Sequence, residues 1–411
     1  MKTQTPGRTD ASGRGFAEGW AVPYPSMMYR YNEEEIQAVV EVMRKGATMS
    51  QGEHLERFET DFREFTGASH AFAVSSGTSA LQLAATLCGL RQGDEVIIPA
   101  YTFCATAIPF GATGAKIVWA DIDPRVWVVS PEDIARKITP RTRAIVAVHL
   151  LGMPVDMDPI LELAARRGIA VIEDCAQAPG ASYKGRRVGS MGDYGCFSFN
   201  GAKNLTTLGE GGILTVRSAE KAALVPGLRH NGIRGFSEDR PHYWVPAMSN
   251  VDADIEGVWP TKLCLGEAQC ALGSALLKRL DRVNDGLRQQ REHLRLKLRD
   301  CPEISFQTEP QGHHAIFHCC VAHFDGNELG KNREDFMCIM TKEHGIRLIV
   351  QYYPLYRYPL FKKMGFAEAD CPKLEKFWSG SFSYPWCLDI GQENLDYMAD
   401  RTCETISMLK A

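Results

Sequence analysis

The 411 residues carry 46 Lys+Arg against 50 Asp+Glu, a formal charge of −4, with 45% apolar and 23% charged side chains. A chain of this size and mix is globular, with room for two or three domains, and its slight negative balance argues against nucleic acid or an anionic membrane as partner. The 13 cysteines are scattered without a CxxC pair, which points to reduced thiols and a cytoplasmic setting, and no apolar run reaches the roughly 20 residues of a membrane span.

Residues 1–24 lack an apolar signal core and read as a flexible arm. Asn32 to Lys45 has helical spacing, with Ile36, Val39, Val40 and Met43 on the stripe expected to face inward. A second helix, Glu53 to Thr66, carries Leu55, Phe58, Phe62 and Phe65 as core side chains. Beyond a short strand (Ala71 to Val74), Ser75-Ser76-Gly77-Thr78-Ser79 joins a strand end to a helix start. Small hydroxyl residues there cap the helix, and the same free amides with the helix dipole can seat a phosphate.

Apolar β runs then alternate with helical patterns. The expected strands are Glu95–Pro99, Lys116–Ala120, Ala144–His149 and Ala170–Glu173; the helices between them include Thr78–Gly89, Ala105–Gly111, Pro131–Lys137 and Pro159–Arg167. Near-continuous Val/Ile runs between crossovers predict a mostly parallel sheet covered on both faces, a three-layer α/β/α arrangement with its ligand beyond the carboxyl ends of the strands. Informative residues fall at those ends. Pro99-Ala100-Tyr101-Thr102-Phe103 offers an aromatic that can stack on a flat ring or simply close the core. In Glu173-Asp174-Cys175-Ala176-Gln177, Asp174 can pair with a protonated ring nitrogen or cap a helix, and Gln177 can donate to a phenolic oxygen. After the run Tyr194 to Phe199 comes Asn200-Gly201-Ala202-Lys203, a lysine just past a strand that burial would turn into an amine nucleophile.

A phosphate seat, a stacking aromatic, an acid for a pyridine nitrogen and an amine are together what pyridoxal 5′-phosphate (PLP) requires. The motifs Ser76-Gly77-Thr78, Pro99 to Phe103, Val148-His149-Leu150-Leu151-Gly152, Glu173 to Ala178 and Phe197 to Lys203 also resemble the DegT/StrS-type sugar aminotransferases of fold-type I PLP enzymes, over about Met28 to Met408. The resemblance implies an aspartate-aminotransferase-like large domain over residues 25–264. A linking helix and a smaller α+β domain would occupy 265–411. It implies that Lys203 forms the internal aldimine, Asp174 holds the ring nitrogen, Gln177 bonds the 3-hydroxyl and Phe103 stacks on the ring. Ser198, Gly77, Thr78 and Ser79 would hold the phosphate. It further implies ping-pong transfer from glutamate or glutamine, through pyridoxamine 5′-phosphate, to a keto sugar (nucleotide-linked) or a ketocyclitol. A homodimer with active sites at the subunit interface is part of the same expectation. Sister sugar 3-dehydratases carry histidine at the aldimine position, so lysine at 203 favours transamination over that activity; a PLP-dependent dehydratase or lyase of another kind and a PLP-fold regulator without turnover stay open as alternatives. The family has asparagine where Lys262 falls; here a lysine would touch the partner's PLP phosphate as a point charge.

The remaining segments are read from residues alone. Arg229 to Pro260 is a long polar loop with Tyr243, Trp244 and Trp259, and its Arg229, Arg234 and Arg240 are offset by Glu238, Asp239, Asp252 and Asp254. Leu265 to Arg299 predicts one long helix with Leu276, Leu277, Leu280, Val283 and Leu287 inward. Strands are expected over Ala315–His323 and Ile346–Tyr352, and helices over Asn332–Glu343 and Glu393–Leu409. His313, His314, His318, Cys319, Cys320 and His323 are spaced poorly for a metal, because alternate strand residues face opposite ways; no metal is expected. Tyr352 to Tyr356 and Ser383 to Trp386 resemble the family's segments near the substrate mouth, and read from residues alone they are equally core aromatics.

Overall fold

The structure is a computed structural model that describes residues 19–45, 48–236, 242, 244–253 and 255–410. Most of the expected arm (1–18), and Glu238, Asp239, Arg240, Tyr243 and Asp254, lie outside the described residues.

A seven-stranded sheet forms the centre. Across it the strands stand in the order His70–Val74, Gly212–Val216, Tyr194–Ser198, Ala170–Asp174, Thr142–Val148, Glu95–Pro99 and Lys116–Ala120. Only Gly212–Val216 runs antiparallel to its neighbours, pairing Ile213 with Phe197 on one side and with Ala73 on the other. The parallel pairs need crossovers, and helices Gly77–Leu87, Ile108–Ala112, Pro131–Lys137 and Met157–Arg167 supply them. Glu95–Pro99 is buried along its whole length and Thr142–Val148 at all but one residue, as continuous Val/Ile runs require when both faces are covered. The register sets Asp174 beside Cys196, so the acid's strand and the strand leading to Lys203 end together.

Two expectations about helices are corrected. The first helix, Glu33–Lys45, is capped by Asn32, which exchanges hydrogen bonds with Glu35. It buries Glu35 and Val42 and leaves Ile36 and Met43 exposed. Arg279 forms an ion pair with the Glu35 carboxylate and thereby turns that side of the helix inward, against the apolar stripe. The long C-terminal helix is two, Glu267–Leu277 and Leu280–Lys297, because the chain bends at Arg279, whose guanidinium also reaches the Arg30 carbonyl. Its predicted inward leucines and Val283 are buried all the same.

Downstream, a three-stranded antiparallel sheet (Ile304–Phe306, Cys320–Phe324, Ser381–Tyr384) is flanked by helices Arg333–Lys342 and Gln392–Lys410. The strand expected over 315–323 begins only at Cys320. His313–His314 pairs instead with Ser182–Tyr183, and Phe317 takes a left-handed backbone (φ 48°). The strand expected over 346–352 is reduced to isolated pairings at Ile346 and Ile349, and Tyr352 is left-handed (φ 51°). Among the described residues no helix is long and apolar enough to cross a membrane. All 13 cysteines are free.

Candidate active site

The carboxyl ends of the parallel strands open into a cavity of about 440 Å³. Its wall includes Gly77, Thr78, Phe103, Asp174, Gln177, Ser198 and Lys203, so residues from four separate motifs meet in one place.

Lys203 sits in a turn that begins where the strand Tyr194–Ser198 ends. The Lys203 amide donates to the Asn200 carbonyl (2.9 Å), the Gly201 amide to Gly209 (3.1 Å), and Thr207 to Phe199 (3.0 Å). Burial pushes the Lys203 amine below the usual lysine range, against the opposing pull of Cys319 and Asp174. Asp174 is buried, and its oxygens accept from the Thr106 hydroxyl (2.7 Å) and the Ala176 amide (3.1 Å). Burial raises this carboxyl, while Thr106, the Ala176 amide, Lys203 and His149 hold it down; a cation against its open edge would favour the charged form. Behind it Glu173 is fully enclosed and accepts from His149 Nε2 (3.0 Å) and the amides of Gly189, Met191 and Gly192. Burial alone would raise Glu173, but those donors outweigh it and hold the carboxyl below the usual range. His149 Nδ1 accepts from the Val155 amide (3.0 Å), so the ring hydrogen goes to Glu173. This pair braces the strand end that carries Asp174.

Gln177 is oriented from behind. The Leu151 amide donates to its Oε1 (2.7 Å), which leaves Nε2 as the end presented forward; it donates to the Tyr352 hydroxyl (2.6 Å). Phe103 is 52% exposed on the cavity wall, its ring 6.1 Å from that of Tyr352, an apolar face with space in front of it. At the helix start, Ser76 caps by accepting from the Ser79 amide (3.0 Å), which leaves the first amides of the helix, at Gly77 and Thr78, without an intrahelical acceptor. A β-carbon on Gly77 would stand 2.7 Å from Ser198 Cβ, so only glycine lets the helix start and Ser198 close around the same space. Glycine amides, the Ser198 and Thr78 hydroxyls and a helix N-terminus suit a phosphate. An acid, an amide donor, an aromatic face and an amine of lowered pKa suit a phosphorylated pyridine aldehyde. The residues present fit PLP.

Two expected phosphate ligands stand apart from the wall. The Ser79 hydroxyl is buried between Ser75 and Ser76 (2.9 and 2.8 Å) and acts within the cap. Lys262 is exposed, paired through its backbone with His230, and is not among the residues lining the cavity of its own chain. Arg229, the first of the basic residues counted with the long polar loop, is buried on Glu59 (2.5 Å) and the Ala73 carbonyl (2.7 Å) and belongs to the core. The histidine–cysteine group is dispersed: His318 and Cys319 line the cavity, whereas His313 and His314 pair with another strand. Burial pushes the Cys319 thiol up to about 12. Also on the wall are Tyr24 to Met28, Thr106, Asn200, Glu210, Gln351, Tyr352 and Trp386. Tyr352 and Trp386 fall in the two aromatic segments left open between mouth and core. Thr106 is four residues past Thr102, a helical spacing that hints at one shared face; nothing local marks the N-terminal segment.

The chain matches the DegT/DnrJ/EryC1/StrS aminotransferase family over residues 30–402. It is 34% identical over 347 residues to a UDP-N-acetyl-3-dehydro-alpha-D-glucosamine 3-aminotransferase of Acidithiobacillus ferrooxidans, covering 83% of this chain and 85% of that one. It is 34% identical over 306 residues to an L-glutamine:2-deoxy-scyllo-inosose aminotransferase of Streptoalloteichus tenebrarius, covering 74% and 71%. Among solved structures, S. venezuelae DesV in complex with a ketimine intermediate superposes with a TM-score of 0.78 at 30% identity, covering 90% of this chain and 94% of that one.

Proposed function

The chain is an aminotransferase of the DegT/DnrJ/EryC1/StrS family, and from that premise we propose that it moves an amino group from glutamate or glutamine to a keto sugar carried on a nucleotide, or to a ketocyclitol, using PLP bound at Lys203. The observation that carries the reading is the meeting of Lys203, Asp174, Gln177 and Phe103 around one cavity beside an open helix start. The relatives that act on a UDP-linked keto sugar and on a scyllo-inosose support both acceptor classes.

PLP, when bound, supplies an electron sink that makes the proton on the amine-bearing carbon removable. The chain does the rest. Lys203 Nζ, whose pKa burial lowers, would hold the cofactor through its aldehyde group and, once released, would carry protons as base and acid. Asp174 keeps a proton on the ring nitrogen, with Thr106 and the Ala176 amide fixing the carboxylate's angle. Gln177 Nε2 holds the ring oxygen, Phe103 covers one face, and Gly77, Thr78 and Ser198 hold the phosphate, with Ser79 acting through the cap. Lys262 adds a charge to the partner's phosphate site. A homodimer belongs to the same proposal: Ile36 and Met43 on the first helix and Trp244, Met248 and Trp259 in the long loop are exposed in the single chain. So do the cytoplasmic setting and the division into residues 25–264 and 265–411.

The test is direct. Purified protein should absorb in the visible when PLP is added, and borohydride should leave a reduced adduct on the peptide containing Lys203. Labelled glutamate and glutamine should pass nitrogen to members of a panel of nucleotide keto sugars and ketocyclitols. An adduct at another lysine, or none, overturns the assignment.

A further inference from the structure

His318 enters the cavity from the small sheet's side on a rigid mount. The Ile316 amide donates to the Gly152 carbonyl (3.1 Å) and the His318 amide to Leu151 (3.2 Å). Gly152 has φ +88°, and a β-carbon there would stand 2.7 Å from the Phe317 nitrogen, so this close docking needs glycine. The His318 ring is 7% exposed and lines the cavity that Lys203 lines. Its Nδ1 meets Asn204 Oδ1 (3.2 Å), Asn204 Nδ2 meets Asn284 Oδ1 (2.9 Å), and Asn284 Nδ2 meets the Pro179 carbonyl (2.9 Å).

The polarity of that chain is fixed at its far end. A carbonyl only accepts, so Asn284 must donate to Pro179 and accept from Asn204. Asn204 therefore offers its oxygen to His318, and the imidazole hydrogen sits on Nδ1. Nε2 keeps its lone pair and has no hydrogen-bond partner among the described residues. Burial first, and the Lys203 charge second, push the imidazole well below the usual histidine range, so it stays uncharged and remains an acceptor.

We propose that His318 is a positioning residue for Lys203: its Nε2 lone pair, open to the cavity the two residues share, accepts an N–H from the Lys203 amine as that amine approaches or leaves the cofactor, and holds Nζ where it must next react. The inference rests on the reading of Lys203 as the PLP-binding amine. The plainer role is that the ring only props Asn204. Two substitutions separate the roles. His318→Asn keeps a donor toward Asn204 and removes the acceptor in the cavity. His318→Gln reaches the cavity with an acceptor and gives up the Asn204 bond.

The full-length protein and both variants would be stripped of cofactor, refilled with PLP, and followed by visible absorption with borohydride mapping of the adduct. Loss of one positioning hydrogen bond should slow PLP capture at Lys203 about tenfold in His318→Asn, while His318→Gln stays within about threefold of wild type. The reverse order overturns the proposal. Imidazole nitrogen-15 NMR of the unmutated chain, with the His318 signals assigned by their loss in His318→Gln, should show hydrogen on Nδ1 and a bare Nε2 at neutral pH. Hydrogen on Nε2 overturns the proposal whatever the capture rates of the two variants. A wild type that captures no PLP overturns the cofactor reading and this proposal with it; a wild type that captures PLP beside variants in reversed order overturns this proposal alone.

Discussion

Replacing Gly77 by alanine sets two known effects against each other. Alanine is worth up to about 1 kcal/mol over glycine in a helix interior, and less in a first turn. Against this, the new methyl would lie 2.7 Å from Ser198 Cβ, 3.2 Å from Ser198 Cα and 3.3 Å from the Phe197 carbonyl oxygen. Two of those three atoms are backbone, so no rotamer change relieves the contact; the helix start or the end of the strand must shift. Overpacking of this kind costs about 1–3 kcal/mol. The net expectation is destabilisation of about 1–2 kcal/mol, because the helix gain is the smaller term. The shift also opens the space between the first helical amides and Ser198, so PLP affinity should fall about tenfold, equivalent to ~1.4 kcal/mol. Urea unfolding and a PLP titration monitored in the visible measure the two quantities. Gly201→Ala is the control for stability, since its methyl would approach nothing closer than Gly209 Cα at 3.7 Å. If Gly77→Ala unfolds like that control and binds PLP like wild type, the account of the phosphate seat is wrong.

Lys203→Ala should lose visible absorption and the borohydride-stable adduct while keeping its unfolding midpoint, by peptide mapping and denaturation. Thr106→Val removes the 2.7 Å bond to Asp174 and leaves burial less opposed. The carboxyl should rise further and PLP affinity drop about tenfold, a hydrogen bond to a charged group being worth ~1.5–3 kcal/mol; an unchanged titration counts against Asp174 as the ring-nitrogen acid. Glu173→Gln turns an NH₂ toward donors and should cost about 3 kcal/mol at neutral pH. The folded Glu173 carboxyl lies below its unfolded value of about 4.3, so its stabilisation is complete above that pH and is lost as pH falls through the folded value. The gap between wild type and variant in urea unfolding should therefore shrink in acid. Ile36→Lys with Met43→Lys should halve the sedimenting mass at micromolar concentration; a wild type that already sediments as a monomer removes the dimer from the proposal.

Strand identity was legible because the central strands announce themselves chemically. Glu95–Pro99 and Lys116–Ala120 coincide with their sequence readings, since an unbroken Val/Ile run bounded by polar turns has few other uses. The same logic placed Asp174 at the end of its strand and Lys203 in the turn beyond Tyr194–Ser198, on the side where the strand ends open into the cavity. Periodicity alone misled at the first helix, because it cannot register that Arg279, some 240 residues later, would draw Glu35 inward. The strand expected at 315–323 failed for a similar reason: Gly152, distant in sequence, receives residues 316–318 and bends them out of the ladder. Cap details also escaped. Ser79 and Thr78 look alike in sequence, yet the helical turn sends one hydroxyl into Ser75 and Ser76 and the other to the open side.

Because Asp174 stands in register with Cys196, the acid and the turn bearing the reactive amine inherit their alignment from a single hydrogen-bond ladder. A slip of one residue between those two strands would reverse which side of the sheet each chain presents, and the protein would stay compact but colourless. With PLP bound as proposed, absorbance per milligram would double as a gauge of folding fidelity, its value set by the fraction of molecules whose two strands zipped up in register.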